Sequence, residues 1–437
     1  MDDRDTFHYF ALTVCLIIVA LLWWVTRSPV GRAIDGMRAS PTRMAALGYN
    51  IGAYKVSAFL ISGVASALTG ALFAYQQQFV GVEMLDWTTS ATILLAAIVG
   101  GARHFLGPAL GIGVLIAAET VLAEYTDRWT AVLGLLYILT ILLLPEGILG
   151  VNRWFRRRSR PDESMAGRPA THSRRASPRR RGALVVEPAI EVEDIRVNFR
   201  GVTALDGVSL SVPAGQRRAL IGPNGAGKTT LFNVLSGSLR PTTGRVSLFG
   251  EEMRRTSVQA RARKGLARTF QITNLLSDLS VRENVLLATA AVKSSTRITF
   301  WRPLVTIPGV SDRTEELLRR WELWSVRDRT VSELAYGQQR VLEIVMALAS
   351  DPKVLLLDEP TAGLSKRDAA MLTDVAAALP ESLSLLVIEH DMDVAFTLGE
   401  VVTVLADGKV LEEGPPDAIR SSPVVIETYL GEHDDAA

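Results

Sequence analysis

Cysteine is nearly missing from this chain: Cys15 is the only one in 437 residues, and it sits in an apolar run. Intramolecular disulfides and cysteine metal sites are thereby excluded. Net charge is also nearly missing, since 47 Lys and Arg against 46 Asp and Glu leave +1, so overall charge names no partner. The first residues, Met1-Asp-Asp-Arg-Asp5, lack the basic start of a secretory signal, and no small-x-small cleavage site follows Trp24. The opening apolar run therefore reads as a retained transmembrane helix. No internal repeat is present, and neither a long coiled-coil heptad run nor a second phosphate-binding loop occurs.

Apolar residues are plentiful, at 48%, and their excess lies almost entirely before residue 151. Three regions follow from composition. Residues 1–151 alternate apolar runs with short polar loops. Residues 152–188 hold eleven arginines among Pro, Ser and Gly, the composition of a flexible tether. Residues 189–437 show short β-branched runs separated by helical patterns, as an α/β domain does. The fold class expected is multi-domain, an α-helical transmembrane bundle followed by an α/β P-loop domain.

Apolar spans are predicted at 8–25, 56–76, 89–101, 106–122 and 130–147, the third short and ending in Gly100-Gly101, as a broken or re-entrant helix would. Arg27, Arg32, Arg38, Arg43 and Lys55 place the loop after the first span in the cytoplasm. The next loop, 76–89, carries Glu83 and Asp86 but no Lys or Arg, which suits the outside. Five crossings that start outside at the N-terminus deliver the C-terminus to the cytoplasm. Small residues recur at spacing four, as Ser62, Ser66 and Gly70, as Gly63, Ala67 and Ala71, and as Gly107 and Gly111, rows that let helices pack closely in a bilayer. The arginine-rich stretch follows a membrane-type segment directly, so attraction to anionic lipid is expected of it rather than nucleic-acid binding.

The phosphate chemistry is explicit. Gly222, Pro223, Asn224, Gly225, Ala226, Gly227, Lys228, Thr229 and Thr230 form a P-loop between a strand-like run and a helical one. Its glycines let backbone N–H groups face phosphate oxygens, Lys228 reaches the β- and γ-phosphates, and the Thr229 hydroxyl ligates Mg²⁺. Further on, four aliphatics precede Asp358 and Glu359. Such a run is a buried parallel strand, with Asp358 at its end placed to hold Mg²⁺ and Glu359 as general base for the attacking water. ATP and Mg²⁺ are the expected cofactors.

Between these elements, Leu334-Ala-Tyr-Gly-Gln-Gln339 resembles the signature motif of ABC ATPases. That resemblance implies a head-to-tail pair of cassettes, in which Tyr336, Gly337 and Gln338 cap the nucleotide held by the partner. It further implies Phe199 as the aromatic stacked on adenine, Gln271 as the Q-loop glutamine reaching Mg²⁺ and the attacking water, and His390 as the switch histidine at the γ-phosphate. Residues 362–365, Ala-Gly-Leu-Ser, occupy the D-loop.

Finer details are similar to the branched-chain amino acid uptake family. In the cassette these are Arg268-Thr-Phe-Gln271, Val387-Ile-Glu-His-Asp-Met392 and the tail 413–431. In the membrane half they are Ser28-Pro-Val-Gly-Arg-Ala33, Ala46-Leu-Gly-Tyr-Asn50 and Tyr54-Lys55, which resemble the permease's cytoplasmic coupling loop, together with Leu106-Gly-Pro108 and the closing Pro145-Glu-Gly-Ile-Leu-Gly150. The resemblance implies a permease–ATPase fusion in the cell's inner membrane that imports branched-chain amino acids, or alternatively urea or amides. It implies as partners a second, non-identical ATPase, a second permease subunit and an extracytoplasmic solute-binding protein. Two departures stand out. Five spans are fewer than the family permease has, so the rest is expected elsewhere or upstream of this sequence. Ala335 and Ser365 replace the common signature Ser and D-loop Asp, so the two ATP sites of the pair are expected to differ. A membrane-fused exporter would show six spans and no coupling-loop resemblance. A non-transport ABC ATPase would show a coiled coil or second P-loop.

Overall fold

In a computed structural model of the protein, the residues described are 4–78, 81, 87–125, 129–144, 147–150, 188–199, 201–269, 275–292, 303–307 and 309–430. The arginine-rich stretch and Gln271 lie outside them. The chain divides into two compact units, one of residues 1–23 and 60–168, the other of residues 24–59 and 169–437.

The elements of the membrane-type region fall on all five predicted apolar spans: α1 (Arg4–Arg27), α4 (Ile51–Gln77), α5 (Trp87–Gly100), α6 (Gly107–Tyr125) and α7 (Trp129–Leu143). Two of them, over Thr6–Arg27 and Ile51–Gln77, are long and apolar enough to cross a bilayer. With 14 residues, α5 extends only about 21 Å, short of a hydrocarbon core of about 30 Å. Within the first unit the small-residue rows behave differently. A Cβ added at Gly111 would lie 1.8 Å from the Ala96 carbonyl oxygen, and one at Gly107 2.0 Å from that of Gly101, so α5 and α6 meet backbone to backbone. At Gly63 and Gly70 on α4 a Cβ would meet nothing within 4 Å.

The second unit contains two sheets. An antiparallel sheet runs β2-β1-β4-β5, from β1 (Pro188–Phe199), β2 (Val202–Pro213), β4 (Thr243–Leu248) and β5 (Glu251–Glu252). The larger runs β10-β9-β3-β8-β7-β6, from β3 (Arg217–Ile221), β6 (Leu266–Arg268), β7 (Val354–Asp358), β8 (Ser384–Ile388), β9 (Val401–Ala406) and β10 (Lys409–Gly414). It is parallel except where β10 pairs with β9. Every residue of β7 and β8 is buried, as the unbroken aliphatic runs require of strands covered on both faces. One core lies around the antiparallel sheet and the helix Lys228–Ser236. A second gathers the helices Val281–Val292, Val310–Arg320 and Tyr336–Leu348.

The second core also takes in Ala33, Met37, Met44, Leu47 and Tyr49. These come from α2 (Pro29–Ala39) and α3 (Pro41–Ala46) and the turn after them. Both helices start on a Ser-Pro pair. The Ser28 and Ser40 hydroxyls accept from the backbone N–H groups of Gly31 and Arg43, and the prolines occupy the first helical position, where no N–H is needed. Ser40, extended at φ −154°, both ends α2 and begins α3. The segment predicted as a coupling loop therefore packs as part of the cassette's own unit.

Candidate functional site

The P-loop joins β3 to the helix Lys228–Ser236 and is shaped by glycines that no other residue could replace. Gly222 (φ 152°) and Gly227 (φ 98°) are left-handed, and a Cβ on them would lie 2.0 Å from the Leu405 carbonyl oxygen and 2.5 Å from that of Ala204. Lys228 is buried, its ammonium donating to the carbonyl oxygens of Gly222 (2.6 Å) and Pro223 (2.8 Å). The helix dipole and the loop N–H groups give this end of the site its affinity for anions.

Beside the loop opens a cavity of about 270 Å³, lined by Asn224, Gly225, Ala226, Gly227, Lys228, Thr229 and Thr230 and, from the far side of the sheet's end, Glu359 and His390. Glu359 follows β7 in a left-handed conformation (φ 47°), a strained position for a residue with a side chain, and its N–H is held by the Ile388 carbonyl (3.0 Å). His390 follows β8, which pairs in register with β7, so both side chains emerge together. Their contact, Nε2 to Oε1, is 2.9 Å. Motif order in the sequence links these residues, and the parallel pairing of β7 and β8 is what brings them together.

Asp358 is almost fully buried, and burial raises its carboxyl above the ordinary range against the lowering influence of Arg268. Arg268 donates to its Oδ2 (2.8 Å), and to Asn233 Oδ1 (2.7 Å) and Ser236 Oγ (2.9 Å) on the P-loop helix. Its other oxygen, Oδ1, is buried without a hydrogen bond. A buried carboxylate oxygen with no hydrogen bond, one residue before the cavity-lining Glu359, is a donor of the kind a hydrated divalent cation takes. Nothing in the sequence gives Arg268 this role. Glu389 is likewise silent as text: its carboxylate accepts from both the N–H (3.1 Å) and the hydroxyl (2.8 Å) of Thr361, which ties the chain after Glu359 to the residue before His390. Burial raises the Glu389 carboxyl, with those hydrogen bonds opposing.

Other predicted residues lie apart from this cavity. Phe199 is half-exposed at the end of β1, and Tyr336, Gly337 and Gln338 open the helix Tyr336–Leu348; none of them lines the cavity. Gln338 closes its own helix by accepting the Ala335 N–H (3.3 Å). Ser365, in the place of a D-loop Asp, serves as an N-cap, accepting from the Asp368 N–H (3.2 Å). Gln271 falls outside the described residues.

A P-loop at the end of the parallel strand β3, an acidic pair at the end of β7 on the far side of β8 and a separate signature helix define an ATP-binding cassette. The ABC transporter family matches residues 205–362, the branched-chain amino acid transport system permease component matches 3–144, and the branched-chain amino acid ATP-binding cassette transporter family matches 409–435. The chain is similar to the high-affinity branched-chain amino acid transport ATP-binding protein BraF of Pseudomonas aeruginosa, 37% identical over 254 residues, which cover 56% of this chain and 98% of that protein. It is 35% identical to the ATP-binding protein LivG of Escherichia coli over 255 residues, 56% of this chain and 99% of LivG. A crystal structure of a nucleotide-free ATP-binding cassette from an ABC transporter superposes with a TM-score of 0.50 at 30% identity, covering 55% of this chain and 98% of that one. The chain belongs to the branched-chain amino acid ABC transporter family, as a fusion of permease and ATP-binding cassette, and the cassette hydrolyses ATP.

Proposed function

We propose that the protein is the ATP-hydrolysing and membrane-spanning part of an importer for branched-chain amino acids or similar small polar solutes. The observation that carries the reading is the cavity that unites Lys228 and Thr229 with the Glu359–His390 pair, in a chain whose other part matches a permease. The loop N–H groups and Lys228 bind the phosphates. Glu359 removes a proton from the attacking water, and His390 holds the Glu359 carboxylate in place and faces the γ-phosphate. Thr229, Asp358 and Gln271 would hold Mg²⁺, which supplies charge neutralisation on the phosphates when bound.

Phe199 stacks on the base. Tyr336, Gly337 and Gln338, standing away from this chain's own cavity, serve the nucleotide of a second cassette. Ala335 contributes no hydroxyl there, which supports a non-identical partner. A second permease subunit and an extracytoplasmic solute-binding protein complete the importer. The apolar helices cross the inner membrane several times with the cassette in the cytoplasm, an orientation supported by the arginines of 27–43. The arginines of 152–188 supply the charge for attraction to anionic lipid.

Uptake of labelled leucine and labelled urea, in cells with and without this gene, tests the reading. Leucine uptake that depends on the gene is expected. Urea uptake in its place would reassign the solute, and a Glu359→Gln variant that still restores uptake would overturn the ATP-driven mechanism.

A further inference from the structure

The segment 24–59 is fastened to the cassette at several points, and one of them differs in kind. Arg32 pairs with Glu283, the Tyr49 hydroxyl donates to the Leu287 carbonyl (2.9 Å), and Arg263 donates to the Gly48 carbonyl (2.8 Å). These end on the helices Val281–Val292 and Val258–Arg263. Arg43, on α3, instead reaches the signature helix Tyr336–Leu348. Its Nη2 donates to the Glu343 carbonyl (3.0 Å), and its Nη1 lies 3.7 Å from the Glu343 carboxylate.

From Glu343 the contacts continue along one face of that helix. Arg340, one turn earlier, donates to Glu343 Oε2 (3.0 Å), and its Nη2 donates to the Tyr336 hydroxyl (2.8 Å). Its guanidinium also lies 5.2 Å from the Tyr336 ring centre. Spacings of three and four residues put all three side chains on the same stripe. The side chains of Arg43, Glu343 and Arg340 are 1%, 2% and 3% exposed, whereas Tyr336 is 41% exposed at the helix head. Tyr336 in turn lies beside the D-loop, since a Cβ at Gly363 would be 3.8 Å from its ring.

Two buried guanidiniums around one carboxylate are a poor way to gain stability, because well-packed apolar residues do as well or better. Their use is positional: charges in a dry interior have few alternative arrangements, so a shift of one member is passed to the next. We propose that Arg43, Glu343 and Arg340 form a buried relay through which the position of α3 sets the orientation of Tyr336 at the head of the signature helix. Arg43 is then a positioning residue for the surface this cassette offers to its partner. The relay rests on the reading of 24–59 as the coupling segment of a transporter.

The test places 3-fluorotyrosine at position 336 of the full chain and records its fluorine resonance. Arg43→Gln and Glu343→Gln should each move the resonance, although Arg43 does not touch Tyr336, and Arg43→Lys should move it less. Arg263→Gln, which loosens the same segment at Gly48 but leaves Arg43 in contact with Glu343, should move it less than Arg43→Gln does. In proteoliposomes with the transport partners, Arg43→Gln should lower leucine-stimulated ATP turnover about tenfold with the unstimulated KM for ATP unchanged, and the double Arg43→Gln/Glu343→Gln variant should be no worse than either single one.

An unmoved resonance in folded Arg43→Gln, an equal shift in Arg263→Gln, or multiplying losses in the double variant would overturn the relay. Should the Gln variants fail to fold, Arg43→Lys carries the same decision, a moved resonance sustaining the relay and an unmoved one overturning it. The fluorine readout needs no solute. Absence of leucine stimulation in the wild type would thus defeat the assignment of leucine as solute alone, and an unmoved resonance the relay alone.

Discussion

Leucine does opposite things in the two units of this molecule. In strand β7, Leu355, Leu356 and Leu357 are completely buried, while on α4 Leu60, Val64 and Leu68 are 60%, 60% and 49% exposed. Both runs are rich in aliphatic residues, so hydrophobicity alone does not decide which side of the protein surface a residue occupies. The solvent decides it. Water drives the β7 leucines together with an entropic force that acts on every apolar surface. Along α4 the same side chains point outward with no part of the apolar window buried, an arrangement that lipid tails tolerate and water does not.

The largest break in that comparison is a cavity. Leu356→Ala should cost the cassette about 2–5 kcal/mol, read by denaturant unfolding of the full chain in detergent. Leu68→Ala should cost well under that, and equal losses would show that α4 is packed like a core. A smaller effect separates the two small-residue rows. Gly111→Val drives a side chain into the α5 backbone and should destabilise the α5–α6 pair by about 1–3 kcal/mol, whereas Gly63→Val should be neutral in thermal melts of the detergent-solubilised chain. A loss at Gly63 that appears only when partner subunits are present would mark that row as an intersubunit face.

The smallest effect concerns charge inside the cassette. Burial raises the Glu389 carboxyl above its ordinary value of 4.5, so the folded chain holds that proton more firmly than the unfolded one. The group's contribution is complete in acid and is lost as pH rises through the raised value. Glu389→Gln cannot ionise and escapes that loss. The Tm difference, variant minus wild type, should grow as pH rises above 4.5, and a difference that shrinks would reverse the sign of the argument.

Features that depend on contiguous residues are legible in the amino-acid order itself. The P-loop, the Asp358–Glu359 pair, the helices at the five apolar spans and the parallel sheet all follow from patterns a few residues long. What is not legible there depends on partners far apart in the chain. Arg268 meets Asp358 from 90 residues away, and Arg43 meets Glu343 from 300. Glu389 lies between better-known neighbours and carries no motif of its own. The glycine rows look alike as text, yet only the one on α6 meets a neighbouring helix among the described residues, because spacing reports a helix face and not what covers it.

On the proposed function, hydrolysis at the Glu359 site drives movement of solute through the membrane region. The most direct test measures labelled leucine uptake and phosphate release together, in proteoliposomes holding this chain with its transport partners. Leucine should raise phosphate release in the wild type, and Glu359→Gln should lower release about 100-fold or more and abolish uptake while ATP is still bound. Uptake that persists in the Glu359→Gln chain would contradict the proposed function.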